Sequence, residues 1–159
     1  MKRIVAMFGA LAALALVAPV GSAVGKVPAG RSASQAAVHP VSGLPVIQVA
    51  VRGHAFRVEV ARTPTEQQKG LMFRTAMKPD EGMLFPEERP RQVAFWMRNT
   101  VLPLDIVFIG PDRRILNIVN ATPYDETPLP SAGPAIAVLE LNAGRTKALG
   151  IRAGDKVTW

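Results

Sequence analysis

Apolar and polar positions first alternate regularly at Phe56-Arg57-Val58-Glu59-Val60, where Phe56, Val58 and Val60 share one face. A period of two marks a half-buried strand. The pattern predicts strands over 45–51 and 54–61, joined by an Arg52-Gly53 turn. Thr63-Pro64-Thr65-Glu66 then reads as an N-cap, a proline at the first helical position and a glutamate placed to close a capping box. Gly70 ends this short helix. A loop through Pro79-Asp80-Glu81-Gly82 leads into the apolar Met83-Leu84-Phe85. Residues 93–97 and 106–109 are uniformly apolar, and Gly110-Pro111-Asp112 turns the second run into 114–119 as a hairpin. Residues 123–134 are proline-rich and read as a long surface loop. Residues 135–141 read as a strand buried on both faces, Asn142 as the cap of a helix reaching Leu149, and 155–159 as a closing strand. About eight short strands with two short helices predict a mostly-β domain, a β-sandwich, jelly-roll-like or barrel-like.

The first 44 residues carry a different pattern. Lys2 and Arg3 precede an apolar run over 4–20, and Gly21-Ser22-Ala23 follows with small side chains. That order is the one a cleavable export signal needs, with cleavage expected after Ala23. The run falls just short of the ~20 apolar residues of a spanning helix, which favours removal over a retained membrane anchor, and no span is expected once it is removed. Residues 24–44, broken by glycine, proline and serine, read as a flexible linker in which His39 is solvated. The expected organisation is therefore signal peptide 1–23, linker 24–44 and one domain over 45–159, periplasmic or secreted and monomeric.

Composition narrows the chemistry. There are 0 cysteines, hence no disulfide, thiolate metal site, cysteine nucleophile or lipidated N-terminal cysteine. The formal charge is +7, but Lys2, Arg3, Lys26 and Arg31 all precede residue 45 while every acidic residue follows it. The remaining basic residues are scattered, which excludes the stripe or cluster that nucleic acid requires.

Four segments stand out together: Glu59-Val60-Ala61 leading to Gly70-Leu71-Met72-Phe73-Arg74; Gly82-Met83-Leu84-Phe85; Phe95-Trp96-Met97-Arg98-Asn99-Thr100 with Pro103-Leu104-Asp105; and Val138-Leu139-Glu140-Leu141-Asn142-Ala143-Gly144 with Gly154-Asp155. In order, spacing and type this set resembles the DUF192 family (domain of unknown function 192) over residues 46–158. The resemblance implies a compact, mostly-β, jelly-roll-like fold, often behind a signal peptide. It implies no established activity. No cofactor is expected from the residues themselves.

The polar residues of those segments are the candidate site: Arg74, Trp96, Arg98, Asn99, Asp105 and Glu140. Glu140 shares a strand face with Ile136 and Val138, and Asp105 opens an apolar strand. A buried carboxylate needs a partner, and Arg74 and Arg98 offer bidentate ones. Two readings follow: structural salt bridges pinning loops to the sheet, or a pocket with Trp96 and Phe85 as an apolar wall and polar groups to orient a small polar, saccharide-like or peptide ligand. The reading adopted is a non-enzymatic binding or accessory module of the cell envelope. Two alternatives stand beside it. Met72, Met83 and Met97 could offer soft thioether ligands to copper, although methionine beside leucine and phenylalanine is usual core filler. Asp105 and Glu140 could form the carboxylate pair of a glycoside hydrolase if they face each other. Serine nucleophile and zinc chemistry are disfavoured, since the expected domain holds one serine, Ser131, and one histidine, His54.

Overall fold

The computed structural model describes residues 37–159; the expected signal peptide, its cleavage point and residues 24–36 of the expected linker lie outside the described residues. The elements run β1 (Val46–Val51), β2 (His54–Val60), α1 (Pro64–Lys69), β3 (Glu81–Arg91), β4 (Ala94–Phe95), β5 (Leu104–Ile109), β6 (Ile115–Ala121), β7 (Leu129–Pro130), β8 (Ala135–Asn142), α2 (Arg145–Ala148) and β9 (Val157–Thr158). The fold is mostly β, with nine strands among the described residues.

Seven strands form one sheet in the order β6-β5-β8-β3-β2-β1-β9, and β4 pairs with β7 separately. The two edges of the large sheet bend toward each other. Ile115 N–H donates to the Asp155 carbonyl at 3.0 Å and Val157 N–H to the Arg113 carbonyl at 2.8 Å. The sheet is thus curled into a half-barrel, in place of two separate sheets stacked as a sandwich. Every strand of the curl adds to one apolar cluster, through Val49, Phe56, Leu84, Leu139, Val107, Ile115 and Val157. A contribution from all seven strands is what the inner face of a curled sheet should have.

The outer face of the central strands carries a second cluster, which includes Met83, Phe85, Ile106, Phe108 and Val138. Its cover follows from topology. β2 and β3 are the parallel pair of the sheet, and parallel neighbours need a crossover. Residues 61–80 supply it, carrying α1 and bringing Ala61 and Leu71 onto the cluster, while Val93 and Met97 close it from the other side. The predicted capping box fixes where the crossover starts. Thr63 Oγ1 accepts from Glu66 N–H, and the Glu66 carboxylate accepts from Thr63 N–H at 2.9 Å. The same contacts with Thr63 and the Arg62 N–H hold the Glu66 carboxyl below the usual range. None of the described helices is long and apolar enough to cross a membrane.

Several expectations need correction. β3 runs to Arg91, well beyond 83–85, with a register shift between Pro86 and Arg91 that lets prolines and charged residues continue the strand. The expected loop over 123–134 contains β7. Asn142 is the last residue of β8 and does not cap α2, whose N-cap is Gly144 in the left-handed region. Ile136 packs on the first cluster and not beside Val138 and Glu140. Finally, residues 37–44 belong to the domain. Val46 N–H donates to the Ala37 carbonyl, Val38 bridges to Pro45, and Leu44 packs on the second cluster. His39 is accordingly not solvated: its side chain is 15 % exposed, with Nδ1 3.6 Å from Glu59 Oε1.

Candidate functional site

The register of the central strands places two carboxylates on the outer face. Glu59 lies opposite Met83, Met83 opposite Glu140, and Glu140 opposite Ile106, so one row crosses β2, β3, β8 and β5. Both acids are buried among apolar neighbours under the crossover. Their fates differ.

Glu59 is fully partnered. Arg74, on the crossover, donates Nη1 to Oε1 at 2.6 Å and Nη2 to Oε2 at 2.9 Å, a bidentate fork. The sequence reading gave Arg74 to Asp105 or Glu140; its partner is Glu59, an acid that alternation along β2 assigns to a polar outward face.

Glu140 has neither a hydrogen bond nor an ion pair among the described residues, although the side chain belongs to a residue only 5 % exposed. Burial, with no cation to offset it, pushes its carboxyl up to about 8. The side chain lines a cleft of about 180 Å³. Leu71 and Met72 after α1, Phe85 of β3, Phe95 and Trp96 of the β4 region, and Thr100 form much of its wall. The aromatic part is ordered by packing: Phe85 and Phe95 meet edge-to-face at 5.1 Å, and Phe95 meets Phe108 at 6.1 Å. Lys69, Glu87 and Arg91 also line the cleft. Arg91 and Glu87 are bound to each other through two hydrogen bonds.

Trp96 is 46 % exposed, the large aromatic that joins this cleft to the surface. The Arg98 guanidinium lies 4.3 Å from its ring centroid. Arg98 also donates Nε and Nη2 to Glu126 Oε2, a partner in the proline-rich segment that sequence reasoning did not single out. The Glu126 hydrogen bond and charge raise the Arg98 guanidinium, and Arg98 in turn lowers the Glu126 carboxyl. Asn99 stands apart from Glu140. It takes a positive φ of 53°, its carbonyl accepts from Phe73 N–H, and its amide Nδ2 approaches Met72 Sδ at 4.0 Å.

Asp105 faces the other way and is a structural anchor. Its Oδ1 accepts from Gly144 N–H at 3.0 Å and from Asn120 Nδ2. Its Oδ2 accepts from Thr146 N–H at 2.9 Å and Thr146 Oγ1 at 2.7 Å. These bonds satisfy free N–H groups at the start of α2, the task first assigned to Asn142. The six candidate residues therefore do not converge. Trp96 and Glu140 share the cleft, Arg98 stacks above Trp96, and Arg74, Asn99 and Asp105 are engaged elsewhere. Of the methionines, Met83 and Met97 are sealed inside the second cluster, and Met72 alone of the three lines the cleft. The described residues contain no group of three or more His, Asp or Glu side chains placed to hold a metal ion.

Comparison with known proteins agrees with this architecture. A crystal structure of a protein of unknown function from Novosphingobium aromaticivorans is similar, at 59 % identity and a TM-score of 0.76, covering 80 % of this chain and 94 % of that one. A candidate transcription regulator from Sinorhizobium meliloti is similar at 42 % identity and a TM-score of 0.70, covering 72 % of this chain and 94 % of that one. Comparison with curated proteins finds no match. The family model DUF192, described as an uncharacterized ACR, matches residues 47–159, and the chain belongs to the DUF192 family.

Proposed function

We propose that this protein is an exported, non-enzymatic binding module of the cell envelope, periplasmic or secreted, that holds a small polar ligand in the cleft between Trp96 and Glu140. The export half of the reading is supported by Lys2 and Arg3, the apolar run over 4–20 and the small residues at Gly21-Ser22-Ala23. The binding half is supported by one observation above all: a buried glutamate with no partner among the described residues lines a cleft with a partly exposed tryptophan. Such a group costs stability, and a perturbed acid set in a cleft is a physical mark of a binding site. The site is smaller than the sequence suggests, since Arg74, Asn99 and Asp105 drop out. The ligand classes remain a small polar or saccharide-like molecule, or an envelope peptide.

The alternatives lose support on geometry. A carboxylate pair must face across the substrate, and the strand pairing sends Asp105 and Glu140 to opposite faces. A thioether copper site needs accessible sulfur, and Met83 and Met97 are fully buried.

Thermal unfolding of the full chain against monosaccharides, cell-wall peptide fragments, Cu(I) and Zn(II) tests the proposal, with Trp96→Ala and Glu140→Gln alongside. An organic ligand at 100 times its dissociation constant should add about 2.7 kcal/mol, and both variants should lose that shift. A shift from metal alone, or an organic shift that both variants keep, overturns the reading.

A further inference from the structure

Taking the Trp96–Glu140 cleft as the ligand site, the geometry points to the class of group it takes: we propose that it receives a primary alkylammonium, whose N–H groups bond the Glu140 carboxylate while its charge lies against the aromatic walls. The inference rests on the binding reading above and sharpens it.

A carboxylate can accept several hydrogen bonds, and Glu140 accepts none from the described residues. An occupant must therefore bring donors. A hydroxyl offers one donor and no charge. A primary ammonium offers three donors together with the positive charge that a buried carboxylate lacks. The walls suit the same group. Phe85, Phe95 and Trp96 line the cleft, and aromatic faces attract cations through the ring quadrupole. Leu71 and Val93 provide apolar surface for the methylenes that follow the nitrogen. A volume of about 180 Å³ takes a head group and a short alkyl stem, not a length of polymer.

The cations of the described residues do not fill this role. Arg91, from β3, is bound to Glu87; Arg98, stacked on Trp96, is bound to Glu126; Arg74, from the crossover, is bound to Glu59, which His39 also approaches. Lys69, at the end of α1, lines the cleft and makes no ion pair with Glu140. Among the described residues, Lys69, Glu87 and Arg91 are, with Glu140 itself, the charged groups that line the cleft.

Binding then carries a proton balance. Free Glu140 holds its proton up to about pH 8, and an ammonium needs the ionised form. The proton leaves the Glu140 carboxyl for solvent as the ammonium enters, and no proton leaves the ligand. Apparent affinity should fall roughly tenfold for each pH unit well below that value. The ammonium could be that of a free amine or of a lysine-type side chain in a peptide, and the two share this chemistry.

An NMR titration of the full chain decides it, at pH 8 and pH 6, with n-butylammonium, its neutral analogue 1-butanol, Nα-acetyl-lysine methylamide and N-acetylglucosamine. n-Butylammonium should move the Trp96 Nε1–H and Glu140 signals, bind at least about tenfold more weakly at pH 6, and lose its effect in a folded Glu140→Gln variant. Tighter binding of the lysine amide would assign the group to a peptide, and equal binding to a free amine. Equal response to 1-butanol, or unchanged amine binding in Glu140→Gln, overturns the ammonium assignment. If N-acetylglucosamine moves the Trp96 signal and no amine does, the cleft stands as a binding site and the ammonium assignment falls. If no probe moves either residue, both fall.

Discussion

Asp105 and Glu140 lie on neighbouring strands one position out of register, Asp105 opposite Leu141 and Ile106 opposite Glu140, so their carboxylates leave the sheet on opposite faces. Asp105 accepts four hydrogen bonds and ties α2 to the sheet. Glu140, equally central, accepts none from the described residues and lines a cleft. Two buried acids of similar sequence context thus have opposite roles, one of scaffold and one of site.

The scaffold role makes Asp105 intolerant of change. Asp105→Ala removes every acceptor from Gly144, Thr146 and Asn120, and should destabilise the protein by about 3 kcal/mol or more. Asp105→Asn is hardly milder, because both oxygens face donors and its amide must point N–H at one of those sets. Urea unfolding measures both variants, and a loss below about 1 kcal/mol in each would remove the anchor role.

Glu140 predicts an unusual pH dependence. Its carboxyl is raised to about 8 when folded, from 4.5. The native state then binds more protons than the unfolded chain between those values, so stability falls as pH rises from 4.5 to 8. The penalty is absent below that window and complete above it. Glu66, Asp125, Glu126 and Asp155 act in a different range. Their carboxyls are lowered, chiefly by hydrogen bonds, so any stability they add is lost on acidification below the usual carboxylate range. Glu140→Gln should improve relative to the parent by a few kcal/mol between pH 5 and pH 8. Paired denaturation curves at both pH values read this difference, and a gap that does not change with pH would refute it.

The Arg74–Glu59 pair should behave as one unit. Each single variant, Arg74→Met or Glu59→Gln, leaves a buried group without its partner and should cost about 3–5 kcal/mol. The double variant should cost less than the sum. A double-mutant cycle by denaturant unfolding supplies the coupling, and strict additivity would show that the fork contributes nothing beyond its members.

Arg98 and Glu126, by contrast, form an exposed pair, screened by solvent. Arg98→Ala should leave the unfolding midpoint unchanged within error. Any effect should appear in ligand binding, through the ring of Trp96 on which Arg98 stacks. An early-melting Arg98→Ala would instead make this contact part of the scaffold.

Much of the local structure was legible in the sequence. The alternation through Phe56, Val58 and Val60 marks β2, and Thr63 to Glu66 marks the start of α1, because both depend on neighbours within a few residues. β3 was legible only at its apolar core, since Pro86-Glu87-Glu88-Arg89-Pro90-Arg91 lacks any alternation and is carried by a register shift. Glu59 illustrates a second limit. Alternation places it opposite Phe56 and Val58, which in a one-sided sheet means solvent. Here the crossover covers that face, and a burial set by residues 61–80 is not readable from β2 alone. The pairing of guanidinium groups had the same cause. Arg74 and Arg98 were recognised as carboxylate partners, but their choice of Glu59 and Glu126 follows from strand register and loop path. Glu140 was readable as a buried acid; that no described residue meets it depends on where strand register and loop path send Arg74, Arg91 and Arg98.

The most direct test of this account is a carbon-13 NMR titration of the Glu140 side-chain carboxyl in the full chain, with and without n-butylammonium. A midpoint near 8 is expected in the free protein and a lower one when the ammonium is bound. An ordinary carboxylate midpoint in the free protein, unmoved by the amine, would mean that Glu140 already has its partner, and the cleft would lose its claim to be the site.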